Sequence, residues 1–347
     1  MKKFHIFSVC CGIALLVFLI WKIGIRELWQ EISLLGWGLV PIILIEGIAD
    51  LFHALGWRHC LSGPHRSLPF LRIFRIRMAG YAINYLTPTA ALGGEVTKGA
   101  LLSLNQKGAE AITGVLIGKL SFAISQLLFV AAGSILIVTQ VDLPVALWVG
   151  MLISSGLLAL GIFGFLLVQK YGKLGCLIRW LVSHNLGGKF LQKLSHEINE
   201  VDEALKVFYR TNPLGLLWSV FWHLVAFTVG IVQTWLFIEL LSNNATIPVA
   251  AGIWILGNWF DLLTFAVPLD IGVQEGTRVL AFKALGFDLL MGMTYGVTLR
   301  LQQIFWAGFG LLNYALLLSE KKKLEGSLPI EGQSSALAFI RYRRGRG

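Results

Sequence analysis

Residues 144–169 read PVALWVGMLISSGLLALGIFGFLLVQ, 26 positions without a charged side chain. A helix that crosses a bilayer core needs about 20 consecutive, mostly apolar residues. In water, a helix apolar on every face would have to be enclosed on all sides. Five further runs share this character, at 4–24, 37–58, 110–139, 214–241 and 288–318. A seventh, 248–268, runs into Val267-Pro268.

The composition agrees with that reading. A length of 347 residues would suit two or three soluble domains. Only 14% of them are charged, however, against about 25% in a typical soluble domain. Hydrophobic residues make up 56%, aromatics 12%, and the mean hydropathy is +0.73. So few charges cannot coat a water-facing surface of this size. A soluble enzyme, a disordered chain and a nucleic-acid module are excluded on that ground. The fold class is all-α, a polytopic helical membrane protein.

Small-residue chemistry adds little. Cys10, Cys11, Cys60 and Cys176 form no CxxC pair, and the seven histidines form no HExxH pattern. The cysteines read as packing residues, and neither metal nor cofactor is expected. The apolar run Ile6–Ile20 follows Lys2 and Lys3 like a signal peptide, but Trp21-Lys22-Ile23 comes where small cleavage-site residues would stand. An uncleaved first membrane helix is the reading.

The charges that remain are lopsided, 29 Lys+Arg against 19 Asp+Glu, a net charge of +10. They cluster. Lys2 and Lys3 precede the first span. Seven bases lie in 58–107, seven in 170–212 and seven in the tail 319–347, while the turns 140–143 and 242–247 have none. Basic loops stay cytoplasmic. Both termini, 58–107 and 170–212 should therefore share the cytoplasmic side of the cell inner membrane. Seven full spans would put the tail outside. Six full spans satisfy the charges if 248–266 and 272–287 form a re-entrant hairpin opening outward. By analogy, 70–86 and 93–105 form one opening to the cytoplasm. The expected architecture is six spans plus two re-entrant, broken-helix hairpins, eight membrane elements in all. Within the loop 170–213, Leu191, Leu194, Ile198, Val201, Leu205 and Phe208 make one apolar stripe, so an amphipathic helix is expected there, on the membrane surface or against the loops. Residues 319–347 read as a basic flexible tail.

The two hairpins spell related motifs. The first reads Pro88-Thr-Ala-Ala-Leu-Gly93-Gly94-Glu95-Val-Thr-Lys98, and the second Pro268-Leu-Asp-Ile-Gly272-Val-Gln-Glu275-Gly-Thr-Arg278. Proline and glutamate are separated by seven positions in each, and a base follows three residues later. Lys119 lies 24 residues after Glu95, and Arg300 lies 25 after Glu275. The long runs in front cross in opposite directions under the charge-derived topology. An inverted repeat follows, about 37–139 and 214–318, within a membrane domain 1–318. Transporters use this plan, with broken helices meeting near the bilayer midplane.

Proline and glycine free backbone amides at the breaks. Charges at membrane depth cost about 2.5–3.5 kcal/mol each on insertion scales, so they persist when paired or wet. Two readings stand. The i, i+3 pairs Glu95/Lys98 and Glu275/Arg278 neutralise themselves and brace the hairpins, or Lys98, Lys119, Arg278 and Arg300 counter the phosphate of a bound headgroup. Separately, Glu46, Asp50, His53 and Trp57 share one helix face. They suit a proton relay with His53 as titrating partner, or polar packing against Arg72, Arg75 or Arg77. His223 reads as a packing residue, and the roles of Asn258 and Asp261 are open.

On Asn84-Tyr85-Leu86-Thr87-Pro88 with Gly93-Gly94-Glu95, and on Pro268 through Gly272, Glu275, Gly286 and Arg300, the chain resembles the lysylphosphatidylglycerol synthase/flippase-like integral membrane family. This family is similar to the membrane half of the multiple peptide resistance factor, and it has hopanoid-associated and archaeal glycolipid-pathway members. The resemblance covers roughly residues 5–318. It implies lipid translocation or support of lipid modification, with a membrane lipid or lipid-linked intermediate as partner. The soluble aminoacyl-transferring domain of bifunctional relatives has no counterpart in these residues, so lysyl transfer is not expected. The leading expectation is a transporter of lipids with anionic or zwitterionic headgroups. The alternatives are an integral membrane enzyme of lipid or polyprenyl-linked synthesis, or a scaffold subunit using the 189–210 helix and the tail.

Overall fold

The computed structural model describes residues 21, 24–87, 92–103, 108–138, 145–184, 188–242, 245–264 and 271–326, with side chains of 64, 136–138, 146, 181, 188–197 and 321–326 outside that description. The first apolar run, 4–24, falls almost wholly outside it, as do Pro88, Pro268, Asp270 and the tail from 327. The described residues form helices and contain no strand. In chain order these are α1 (Ile25–Leu35), α2 (Leu39–His59), α3 (Phe70–Leu86), α4 (Leu92–Leu102), α5 (Gly108–Val138) and α6 (Val145–Lys170). They continue with α7 (Leu174–Ser183), α8 (Gly188–Thr211), α9 (Gly215–Ser242), α10 (Ile247–Thr264), α11 (Val273–Ala284) and α12 (Leu289–Gly326).

Among the described residues, six helical segments are long and apolar enough to cross a membrane: 25–59, 108–135, 147–170, 215–242, 247–264 and 289–320. Five of these match runs read from the sequence. The sixth, α10, is the arm expected to be re-entrant. Its 18 residues contain one charge, Asp261, so length and composition make it a candidate span. The expected break nevertheless falls between α10 and α11, and a matching one between α3 and α4. Gly272 caps the start of α11, and its φ of 73° is in the left-handed region that glycine adopts without strain.

Three differences from the expected layout are local. α1 is a separate amphipathic helix that buries Leu28 and Leu35. α7 adds a short helix to the 170–213 loop, and α12 continues to Gly326, so the boundary at 318 falls inside it. Leu, Glu and Lys favour helix, and no Pro interrupts them before 329. The amphipathic helix α8 is present. Its Ile198, Val201, Leu205 and Phe208 are buried, in one cluster with Ile117 of α5 and Leu174 and Ile178 of α7. The stripe thus packs on protein. Asp202 of α8 fixes α7 from the side, its carboxylate accepting the backbone N–H of Leu174 and of Gly175, both at 2.9 Å. These are first-turn amides that no helical carbonyl can reach. Cys60 is buried and donates to Ser219 Oγ at 3.1 Å, whereas Cys176 is exposed.

The centre is the antiparallel pair α2 and α9. Around it, helix partners interchange. α3 packs on α12 and α10 on α5; α4 packs on α5 and α11 on α12; α1 packs on α12 and α8 on α5. Large apolar side chains such as Leu152, Leu157, Leu160 and Phe163 of α6 stay exposed, as expected of a lipid-facing surface.

Candidate functional site

The polar stripe of α2 runs through the centre, and each member meets a different helix. Glu46 hydrogen-bonds Gln302 of α12. Gln302 also accepts from Gln233 of α9, whose Nε2 reaches Ile42 O at 2.7 Å. Asp50, 2% exposed, pairs with Arg77 of α3. His53 Nδ1 lies 2.7 Å from His223 Nδ1 of α9. One of these nitrogens must donate and the other accept. Trp57 Nε1 donates to Gly114 O of α5 at 3.2 Å. The four stand on α2 at the spacings of 4, 3 and 4 read from the sequence. The Asp50–Arg77 contact is the packing alternative, and His53 finds its partner in His223 rather than in Asp50.

The first hairpin closes tightly on glycines. A Cβ on Gly94 would lie 2.1 Å from Gly80 O, so α3 and α4 approach where neither can carry a side chain. Asn84 Oδ1 accepts the Gly94 N–H at 2.6 Å, capping the break from α3. Thr97 Oγ1 donates to Gly93 O at 2.9 Å. One turn on, Glu95 Oε2 is 2.6 Å from Lys98 Nζ, and Glu95 Oε1 is 4.0 Å from Lys119 Nζ of α5. Lys98 Nζ also sits 5.4 Å above the Trp57 ring. These groups line a cavity of about 140 Å³ with Arg77, Tyr81 and Asn84 on one wall and His223 on another. Lys119 is the twelfth residue of α5, roughly 16 Å from its start at 1.5 Å per residue. The cavity therefore lies beside the middle of 108–135, a segment long and apolar enough to cross a membrane. Its lining carries three bases, Arg77, Lys98 and Lys119, and one carboxylate, Glu95; Asp50 behind it compensates Arg77.

The second motif uses the same residue types differently. Glu275 Oε2 accepts the Gly272 N–H at 2.8 Å, turning the carboxylate back on the helix start. Arg300, the twelfth residue of α12, reaches both its oxygens, Nε to Oε1 at 2.9 Å and Nη2 to Oε2 at 3.2 Å. Arg300 also hydrogen-bonds Tyr85 of α3. The expected Glu275/Arg278 pair does not form. Arg278 reaches instead to Asp261 of α10 at 2.7 Å. The reason is geometric, since the glutamate is already held by a backbone amide and a guanidinium fork. Glu275 is 2% and Arg278 3% exposed.

A family profile, that of the lysylphosphatidylglycerol synthase TM region, matches residues 5–310. The chain belongs to this family. It is thus a multi-pass membrane protein of a lipid-associated family, as the motifs implied. Comparison with curated proteins and with solved structures gives no match.

The site contains residues that sequence reasoning did not select. Tyr81, Gln233 and Gln302 owe their positions to helix packing between distant segments, as do Arg77 and His223, which the sequence named only as packing residues. The available signal was a polar side chain inside an apolar helix, which Gln233 and His223 both give. Of the sequence-derived set, Gly93, Gly94, Glu95, Lys98 and Lys119 come together with part of the Glu46–Asp50–His53 stripe. Gly272, Glu275, Arg278 and Arg300 form a second cluster, joined to the first through Tyr85.

Proposed function

We propose that this protein carries a lipid or lipid-linked intermediate, with an anionic or zwitterionic headgroup, between the leaflets of the cell inner membrane, as a transporter and not an enzyme. The observation that carries the reading is the charged cavity beside the middle of the apolar segment 108–135, where Lys119 and Lys98 flank Glu95. Charges so placed are costly unless paired or wet. The surplus of base over carboxylate there favours a phosphate.

The inverted repeat belongs to the same proposal. The interchange of partners around α2 and α9 supports it. So does the equal depth of Lys119 and Arg300 in α5 and α12. Six spans, counting 4–24, and two hairpins would then place both termini in the cytoplasm, as the basic loops favour. Glu46, Asp50 and His53, extended by His223, offer a route for a coupling proton.

Vesicles with headgroup-labelled lipids of several classes test the reading. The wild type should accelerate leaflet exchange of anionic or zwitterionic lipids, and Glu95→Gln and Glu275→Gln should each slow it. Equal exchange with and without protein across the panel would sink the proposal. Proton uptake that accompanies exchange and disappears in His53→Gln would support the relay, and unchanged uptake would remove it.

A further inference from the structure

α6 is the most weakly enclosed of the six candidate spans among the described residues. Only 6% of its most apolar 18-residue window is buried inside the protein. Between it and α5 runs an apolar groove of about 400 Å³, lined by Leu120 and Ala123 on one side and Leu158, Gly161 and Phe165 on the other. A Cβ added at Gly161 would meet nothing within 4 Å, so the groove is open above that residue. One charged side chain lines it, and that is Lys119. The same Lys119 lines the charged cavity. Its side chain is 51% exposed.

An apolar groove on a lipid-facing surface is ordinary by itself. The larger one among α5, α9 and α10, about 1050 Å³, has no charged lining residue. The shared lysine distinguishes the smaller groove. Its four-carbon stem can lie along the apolar wall while the ammonium reaches the polar side. A site of this form accepts a molecule with a charged end and a hydrocarbon end.

We propose that the α5–α6 groove seats one hydrocarbon tail of a phosphate-bearing lipid whose headgroup lies in the cavity, and that Lys119 is the portal where the two diverge. This deepens the transport reading and rests on it for the headgroup's place. The tail would never leave a hydrocarbon environment, so only the headgroup is desolvated by protein. Hydrocarbon gains little by moving from lipid to an apolar groove. Occupancy should therefore depend on headgroup charge through Lys119, and this sets the proposal apart from ordinary boundary lipid.

The test uses the full chain in phosphatidylcholine vesicles doped with a lipid carrying a diazirine on its tail, as phosphatidylglycerol or as phosphatidylcholine. Photoadducts are mapped by mass spectrometry. Phosphatidylglycerol should label Ala123 and the 158–165 stretch about tenfold more than phosphatidylcholine, a preference one charge contact can supply. Lys119→Gln should bring the two to the same level. Gly161→Trp should abolish groove adducts. Gly156→Trp, equally unobstructed but outside the groove lining, should keep them. Equal labelling by both lipids, unaffected by Lys119→Gln, would overturn the proposal. Leaflet exchange in the same vesicles separates the two claims. Charge-dependent adducts without exchange would sink the transport reading and leave the groove standing. Exchange undiminished by Gly161→Trp, once adducts are gone, would overturn the portal.

Discussion

Glu95 and Glu275 hold the same place in two hairpins, yet the Glu95 side chain is 14% exposed and that of Glu275 is 2%. Around Glu95 the bases are lysines, each a single point of contact, and a cavity remains between them. Around Glu275 the bases are arginines. One guanidinium spans both carboxylate oxygens and the other binds Asp261. The planar fork saturates its partner where the ammonium does not. Two motifs with nearly the same spelling thus reach different states, one accessible and one closed. The difference comes from lysine against arginine, and from Asp261, a carboxylate that the first hairpin lacks.

The largest effect expected from this contrast is on stability. Arg300→Ala leaves Glu275 buried without its partner and should cost about 3–5 kcal/mol, read as a lower melting temperature in detergent. Lys119→Ala, at a half-exposed site where Glu95 keeps Lys98, should cost under about 1 kcal/mol. Equal losses in the two variants would erase the distinction between the closed and open motifs. Lys119→Ala should slow leaflet exchange about tenfold, near 1.4 kcal/mol, with little change in melting.

Accessibility gives a sharper comparison. Thr87 and Thr264 end the counterpart arms α3 and α10. Single cysteines there, in a chain whose own cysteines are replaced, should react with an impermeant reagent from opposite faces, Thr87→Cys faster than Thr264→Cys. Labelling of both from the cytoplasm alone would refute the inverted topology. The last effect lies outside both motifs and should touch stability alone. Asp202→Ala removes the two amide contacts that start α7 and should cost about 1–2 kcal/mol, leaving exchange per folded molecule unchanged.

Most of the helices were legible in the sequence because long apolar runs state their own extent. The α8 stripe was equally plain, and Ile198, Val201, Leu205 and Phe208 are buried as its period required. The Glu95 cluster was readable because Lys98 is a near neighbour and Lys119 stands at a repeated spacing. The Arg278–Asp261 bond was not. It crosses the α10–α11 break, and local spacing favoured Glu275 instead. His223 was read as a packing residue, but its contact with His53 was not legible, because only the pairing of α2 with α9 makes it and no local pattern encodes that register. α1 and α7 were overlooked because short helices carry weak periodicity beside long hydrophobic runs.

Arg300 is bonded at once to Glu275 of the second hairpin and to Tyr85 of the first. A guanidinium has five N–H groups in one rigid plane, so it cannot follow two partners that separate. Any movement that drew it toward an incoming phosphate would have to release a hairpin. In that sense it behaves as a latch shared by the two hairpins. Alternation between them would then need no long-range relay, because the exclusion is built into the reach of a single arginine.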